Sequence, residues 1–288
     1  DSVQPAFGPY STDHHRLLGQ VAFLTRVPPD TKIKIEYKNP GESESQKVTL
    51  QAEVEYESLF ASLPIFQQDE LQPPISGELL DGSGIGYIQI ATFSDDYNLM
   101  AQLWDHYLSG LLANEVPGLI IDLRSNGGGS GSLALDFAGY FFEEELELYD
   151  GHYYDEDSGE FEPTEHPAQI KPGPQFFPGP VAVLISPFCV SACEGFTYAM
   201  SQSERVTLVG HYPTAGAFGE VGRGQYELPE EISVQFPTGR PLTPDGGLLI
   251  EGKGVHPDIQ VPVTLTSMLD ERDTVLEAAI DALLEEIQ

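Results

Sequence analysis

The stretch that most limits the fold is Val181 to Ile185, VAVLI, an unbroken apolar run. A strand with no polar position must be covered on both faces, the condition of a parallel sheet flanked by helices. Pro187 interrupts the run and a helical pattern begins near Val190, so Ser191 falls where a strand meets the first turn of a helix. Such a joint lifts a hydroxyl clear of the sheet and aims the helix's free amides at whatever approaches. Ser191-Ala192-Cys193-Glu194 equally fits a capping box, with Ser191 capping and Glu194 reaching back. Both readings stand at this point.

Neighbouring segments supply the layers. Gly86 to Ala91 (GYIQIA) alternates as a strand, and Tyr97 to Leu112 carries Leu103, Trp104 and Leu108 at helical spacing. Gly118 to Leu123 (GLIIDL) follows as a second apolar strand, so strand, helix and strand form a right-handed βαβ unit. Further helices are expected at Ser132 to Glu144 and Asp273 to Ile287, the latter capped by Asp273. Strands are expected at Arg205 to Gly210, Gln225 to Phe236 and Leu248 to Ile250, and residues 145–179 read as a surface hairpin and loop. Upstream, KIKIEY (32–37) and KVTLQAEV (47–54) flank a turn-rich NPGESES and predict a hairpin. The expected organisation is a β-rich region over residues 1–63, a Pro/Gln-rich linker over 64–76 and an α/β domain over 77–288.

A net charge of -33, from 46 acidic residues against 13 Lys plus Arg, argues against nucleic acid or an anionic membrane surface as a partner. It also repels acidic substrates. No apolar run reaches membrane-spanning length, so no membrane insertion is expected. The chain opens at Asp1 without an initiator Met, which reads as a mature or trimmed form. Cys189 and Cys193 bracket Ser191 and are too few for a metal site. They read as two small buried residues, with a disulfide across one helical turn as the alternative.

Gly127-Gly128-Gly129 follows the GLIIDL strand, where backbone freedom exposes N–H groups at the ligand-binding edge of an α/β sheet. GxxxxGK[ST] is absent and the spacing of a dinucleotide fingerprint fails. A tight turn remains, or an oxyanion hole that pairs an amide near Gly128 or Gly129 with that of Ala192.

Asp122-Leu123-Arg124-Ser125-Asn126-Gly127-Gly128-Gly129 resembles the DLRxNxGG motif of the tail-specific (C-terminal processing) serine peptidases, family S41. Ser191-Ala192-Cys193-Glu194 resembles their S-A-x-E nucleophile motif, and Gly254-Val255-His256-Pro257-Asp258-Ile259 their GVxPDI signature. The resemblance covers residues 77–288 and implies a ClpP/crotonase-like β/α core. It implies a serine endopeptidase acting on peptides or unfolded proteins through an acyl-enzyme on Ser191, with no cofactor or metal, outside the cytoplasm. The upstream hairpin resembles the closing part of the family's PDZ domain.

One departure stands out. Many members place a lysine base in T-x-G-K-G, where this chain has Thr214-Ala215-Gly216-Ala217-Phe218, and no lysine occurs between Lys171 and Lys253. A methyl group accepts no proton. The tricorn-like branch implies a Ser–His–Glu arrangement instead; Glu251 matches its glutamate, and the upstream histidine would be His14 or His15. His106, His152, His166, His211 and His256 are given no catalytic part. Two other readings remain: an inactive S41-fold protein that binds peptides or apolar ligands, and a crotonase-like acyl-CoA enzyme, which the acidic surface and elbow serine disfavour.

Overall fold

A computed structural model describes residues 10–24, 26–55, 57, 73–222, 224–269 and 272–287. Thr12 caps helix α1 (Asp13–Ala22) by accepting the His15 amide. Strands β1 (Lys32–Tyr37) and β2 (Gln46–Gln51) pair antiparallel, the hairpin that their alternation predicts. No further strand among the described residues joins that hairpin, so the PDZ-like resemblance gains no support from the fold.

Strand β3 (Ile75–Leu79) starts within the expected linker and pairs antiparallel with β4 (Gly86–Ile90). The α/β sheet therefore begins at Ile75, which is fully buried, and not at residue 77. Linker residues 64–72 lie outside the described residues. Helix α2 (Tyr97–Ala113) then leads to β5 (Leu119–Asp122), parallel to β4, which completes the βαβ unit.

Helix α3 (Gly131–Ala138) stops short of the expected Glu144 because Gly139 opens a 3-10 turn. The acidic, aromatic stretch after it is more ordered than a surface hairpin and loop. It builds β6 (Leu146–Tyr154), β7 (Phe161–Pro163) and β8 (Ala168–Ile170), joined later by a further strand. Next come β9 (Val181–Ile185), α4 (Ala192–Met200), β10 (Val206–Gly210) and the hairpin β11 (Gln225–Leu228) and β12 (Ile232–Gln235). Strand β13 (Gly239–Leu242) pairs with β6, and Leu248–Ile250 supplies only an isolated bridge from Leu248 to Leu242. The chain ends with β14 (Ile259–Gln260), α5 (Leu265–Leu269) and α6 (Thr274–Ile287).

The central sheet runs β14-β10-β9-β5-β4-β3, parallel except at β3. Strand β9 lies inside it and every one of its residues is buried, as the run VAVLI requires. Val181, Val183 and Ile185 face a cluster containing Trp104, Phe137 and Phe196. Ala182 and Leu184 face Val275, Ala279 and Leu283 of α6. Trp104 stacks on Phe137 with ring centres 4.7 Å apart, which fastens α2 to α3. Asp273 caps α6 as expected, accepting the Leu276 amide at 3.0 Å. No helix among the described residues is long and apolar enough to cross a membrane.

Candidate active site

The turn between β9 and α4 places Ser191 at φ 56° and ψ −120°, a conformation that a non-glycine residue rarely adopts. Its amide donates to the Ala217 carbonyl at 3.1 Å. A loose capping box also closes: the Glu194 carboxylate accepts the Ser191 amide at 3.3 Å. The serine hydroxyl makes no hydrogen bond of full cap geometry, and Ser191 lines a cleft of about 900 Å³. A capping box and a place in the cleft wall are therefore compatible at this joint.

Cys189 and Cys193 form a disulfide, which corrects the expectation of two unlinked buried residues. Their Cα atoms lie 5.3 Å apart across the elbow at Ser191, within the normal span of the bond. The bridge ties the chain before the strained serine to the chain after it.

The glycine turn lies directly against the serine. A Cβ added to Gly128 would sit 3.0 Å from that of Ser191, so close approach demands glycine there. Asn126, fully buried, fixes the turn by donating to the Ile90 carbonyl at 3.0 Å and accepting the Gly128 amide at 2.8 Å. The Gly128 amide is thus engaged by Asn126, and the other two residues expected to offer amides are Gly129 and Ala192. Both line the cleft beside Ser191. Asp122 and Arg124 of the same motif serve the scaffold: Asp122 takes the guanidinium at 2.6 Å and the Tyr87 hydroxyl at 2.7 Å. Arg124 also reaches Asp273, the α6 cap, at 2.7 Å.

Glu194 is fully buried at the centre of the arrangement. It accepts the Thr214 hydroxyl at 2.6 Å, the Gly216 amide at 2.7 Å and the Ala217 amide at 2.9 Å, besides that of Ser191. Burial pushes its carboxyl up to about 7, against the downward pull of those donors. The segment 214–217 is pinned beside the serine in this way, and Ala217 presents only a methyl to the cleft.

Glu251 lines the same cleft, accepting the Ser11 hydroxyl at 2.6 Å and the Phe218 amide at 2.8 Å. Its side-chain partner is thus a serine and not a histidine. His14 is not brought to Ser191: its Nε2 lies 2.6 Å from the Thr214 carbonyl oxygen, and it lines a separate cavity with His256 and Lys253. His15 packs edge-on against Tyr10, and burial, then the neighbouring His14, lowers its pKa. Among the described residues the histidine that lines the Ser191 cleft is His152 of β6. Sequence reasoning gave no part to Ser11, which lies 240 positions from its partner with no local pattern to mark it.

The model for Peptidase family S41 matches residues 84–261. The chain belongs to peptidase family S41. This S41 chain is 26% identical over 272 residues to the carboxyl-terminal-processing protease of Synechocystis sp. (strain ATCC 27184 / PCC 6803 / Kazusa). The match covers 92% of this chain and 56% of that relative, so the S41 chain spans just over half its length. Among solved structures, mature CPAF superposes with a TM-score of 0.61 at 16% identity, over 92% of this chain and 72% of its own. A protein from Parabacteroides merdae ATCC 43184 superposes with a TM-score of 0.59 at 23% identity, over 94% of this chain and 84% of its own. At these identities the likeness is one of fold, and it agrees with the mixed α/β core expected for S41.

Proposed function

We propose that this chain is a serine peptidase that hydrolyses peptides or unfolded proteins through an acyl-enzyme on Ser191. The observation that carries the reading is the strained Ser191, at φ 56° on a strand-to-helix elbow, facing a cleft shared with Gly129 and Ala192. Such strain, roughly 1–3 kcal/mol, persists where surrounding structure enforces it and clusters at functional sites.

In this reading the Ser191 oxygen attacks the scissile carbonyl carbon, and the oxygen that gains charge meets the Gly129 and Ala192 amides. Glu251 takes the hydroxyl proton, directly or through the Ser11 hydroxyl bonded to it, and returns it to the amine nitrogen as the C–N bond breaks. A water then gives its proton to the same carboxylate and attacks the acyl carbon, and Glu251 passes that proton to the Ser191 oxygen as the ester bond breaks, which restores both the hydroxyl and the carboxylate. Glu251 takes this part because it stands in the cleft, whereas Ala217 has replaced the lysine and His14 and His15 are engaged elsewhere. The Cys189–Cys193 bridge supports a setting outside the cytoplasm, where disulfides persist.

A second reading, a binding protein that has kept the cleft and lost turnover, is favoured by the Ala217 methyl and by the Ser11 partner of Glu251. A fluorophosphonate probe separates the two. Covalent labelling of the native chain that disappears in Ser191→Ala supports the peptidase; peptide binding without labelling or hydrolysis supports the binding protein. Glu251→Gln is expected to lower kcat/KM on a peptide substrate by about 10²–10⁴-fold, the usual contribution of a general base. An unchanged value would remove Glu251 from the mechanism.

A further inference from the structure

Arg240 on β13 is the one lysine or arginine among the described residues that line the Ser191 cleft. It stands there in a chain with 46 acidic residues and 13 Lys plus Arg. Glu220 and Glu251 line the same cleft, yet Arg240 joins no ion pair among the described residues. Its guanidinium carbon lies 4.2 Å from the centre of the Phe161 ring. A ring face holds a guanidinium placed over it without taking its fork of N–H donors in conventional hydrogen bonds, which leaves that fork available to a ligand. Directly across the β13–β6 pair, Arg240 is in register with His152, another cleft residue. Cross-strand partners share one face of a sheet, so the imidazole sets a second N–H donor beside the fork.

A ring-supported fork with a neighbouring donor and no carboxylate of its own is built to receive a planar anion at two points. We propose that Arg240, with His152 beside it, forms a subsite that binds a carboxylate of the peptide in the Ser191 cleft. That carboxylate is an Asp or Glu side chain or the terminal carboxylate of the peptide. The proposal rests on the reading of this cleft as a peptide site. The remainder of the molecule repels anions, so any preference for an acid is traceable to this point.

The test measures binding to the full chain carrying Ser191→Ala by fluorescence anisotropy. The probes are three fluorescein-labelled pools of short peptides, randomised except at one fixed position. One pool has Asp there and an amidated end, the second has Asn and an amidated end, and the third has Asn and a free terminal carboxylate. A carboxylate-bearing pool is expected to bind about tenfold more tightly than the neutral one, as a charge-assisted bidentate contact allows. Tighter binding of the first pool assigns the subsite to an acidic side chain, and of the third to a chain end. Arg240→Gln in the same background should abolish the gain. Equal binding of all three pools, or a gain that survives Arg240→Gln, overturns the proposal. If circular dichroism shows that Arg240→Gln does not fold, Arg240→Lys carries the test: it keeps the charge without the fork, and the gain should fall several-fold. An undiminished gain in Arg240→Lys overturns the bidentate assignment. Probe labelling of native Ser191 is scored separately. Absent labelling with the acid preference intact overturns the peptidase reading alone, and labelling without the preference overturns the subsite alone.

Discussion

Glu194 combines two circumstances that oppose each other: complete burial, which favours its neutral form, and four convergent donors, which favour its anion. Burial prevails and the carboxyl is pushed up to about 7, above its ordinary value of 4.5. A carboxyl whose folded pKa is raised gives its full stability contribution below the unfolded value and loses it as pH rises through the folded one. Between roughly pH 4.5 and 7 the native chain should therefore lose on the order of 3 kcal/mol from this group. Glu194→Gln does not titrate and sets two N–H donors among donors already present, at a cost of about 2 kcal/mol near pH 5. Urea midpoints of both proteins at pH 5 and pH 8 check this: the native advantage should shrink at the higher pH, and an advantage that grows would reverse the assignment. Ser191 depends on the same carboxyl, because the segment that accepts its amide is held by Glu194.

At the level of elements, α2 and α3 meet through Trp104 stacked on Phe137, and α3 starts immediately after the glycine turn. Trp104→Ala opens a cavity in a fully buried layer, with an expected loss of about 3–5 kcal/mol in urea denaturation. A loss under 1 kcal/mol would mean that the layer collapses around the gap. Which elements were legible in the sequence follows from how their signals arise. Val181–Ile185 and the Trp104 helix declare themselves through local apolar pattern, and the glycine turn through three consecutive residues of one kind. Strand β3 was obscured because Pro73 and Pro74 precede it and Gly77 interrupts it. The β6–β13 pair was obscured because its partners are far apart in sequence, β6 mixes acids with aromatics, and β13 (GRPL) carries a glycine and a proline that strand patterns avoid. Elbow, glycine turn and Glu251 could be found as motifs, and the spacing of Cys189 and Cys193 permitted a disulfide without requiring it; the Ser11 contact joins residues 240 positions apart and no spacing encodes it.

For the molecule as a whole, a charge of -33 means that compactness is opposed by self-repulsion. Raising ionic strength from about 0.01 M to 0.15 M shortens the Debye length from roughly 30 Å to 8 Å, which screens that repulsion. The thermal midpoint should rise by at least about 3 °C, equivalent to roughly 1 kcal/mol for a chain of this size. A midpoint that falls with salt would mean that the few ion pairs, such as Arg124 with Asp122 and Asp273, outweigh the repulsion. The opening helix also takes part in the whole. Thr12 donates to the Ala215 carbonyl at 2.7 Å, its methyl fills the space where Gly216 has no side chain, and His14 meets the Thr214 carbonyl oxygen. The loop beside Ser191 is thus moored to a helix some two hundred positions upstream. Removing the segment that carries Thr12 and His14 would cast that mooring off, so trimming of the chain through α1 would act at a distance on the elbow.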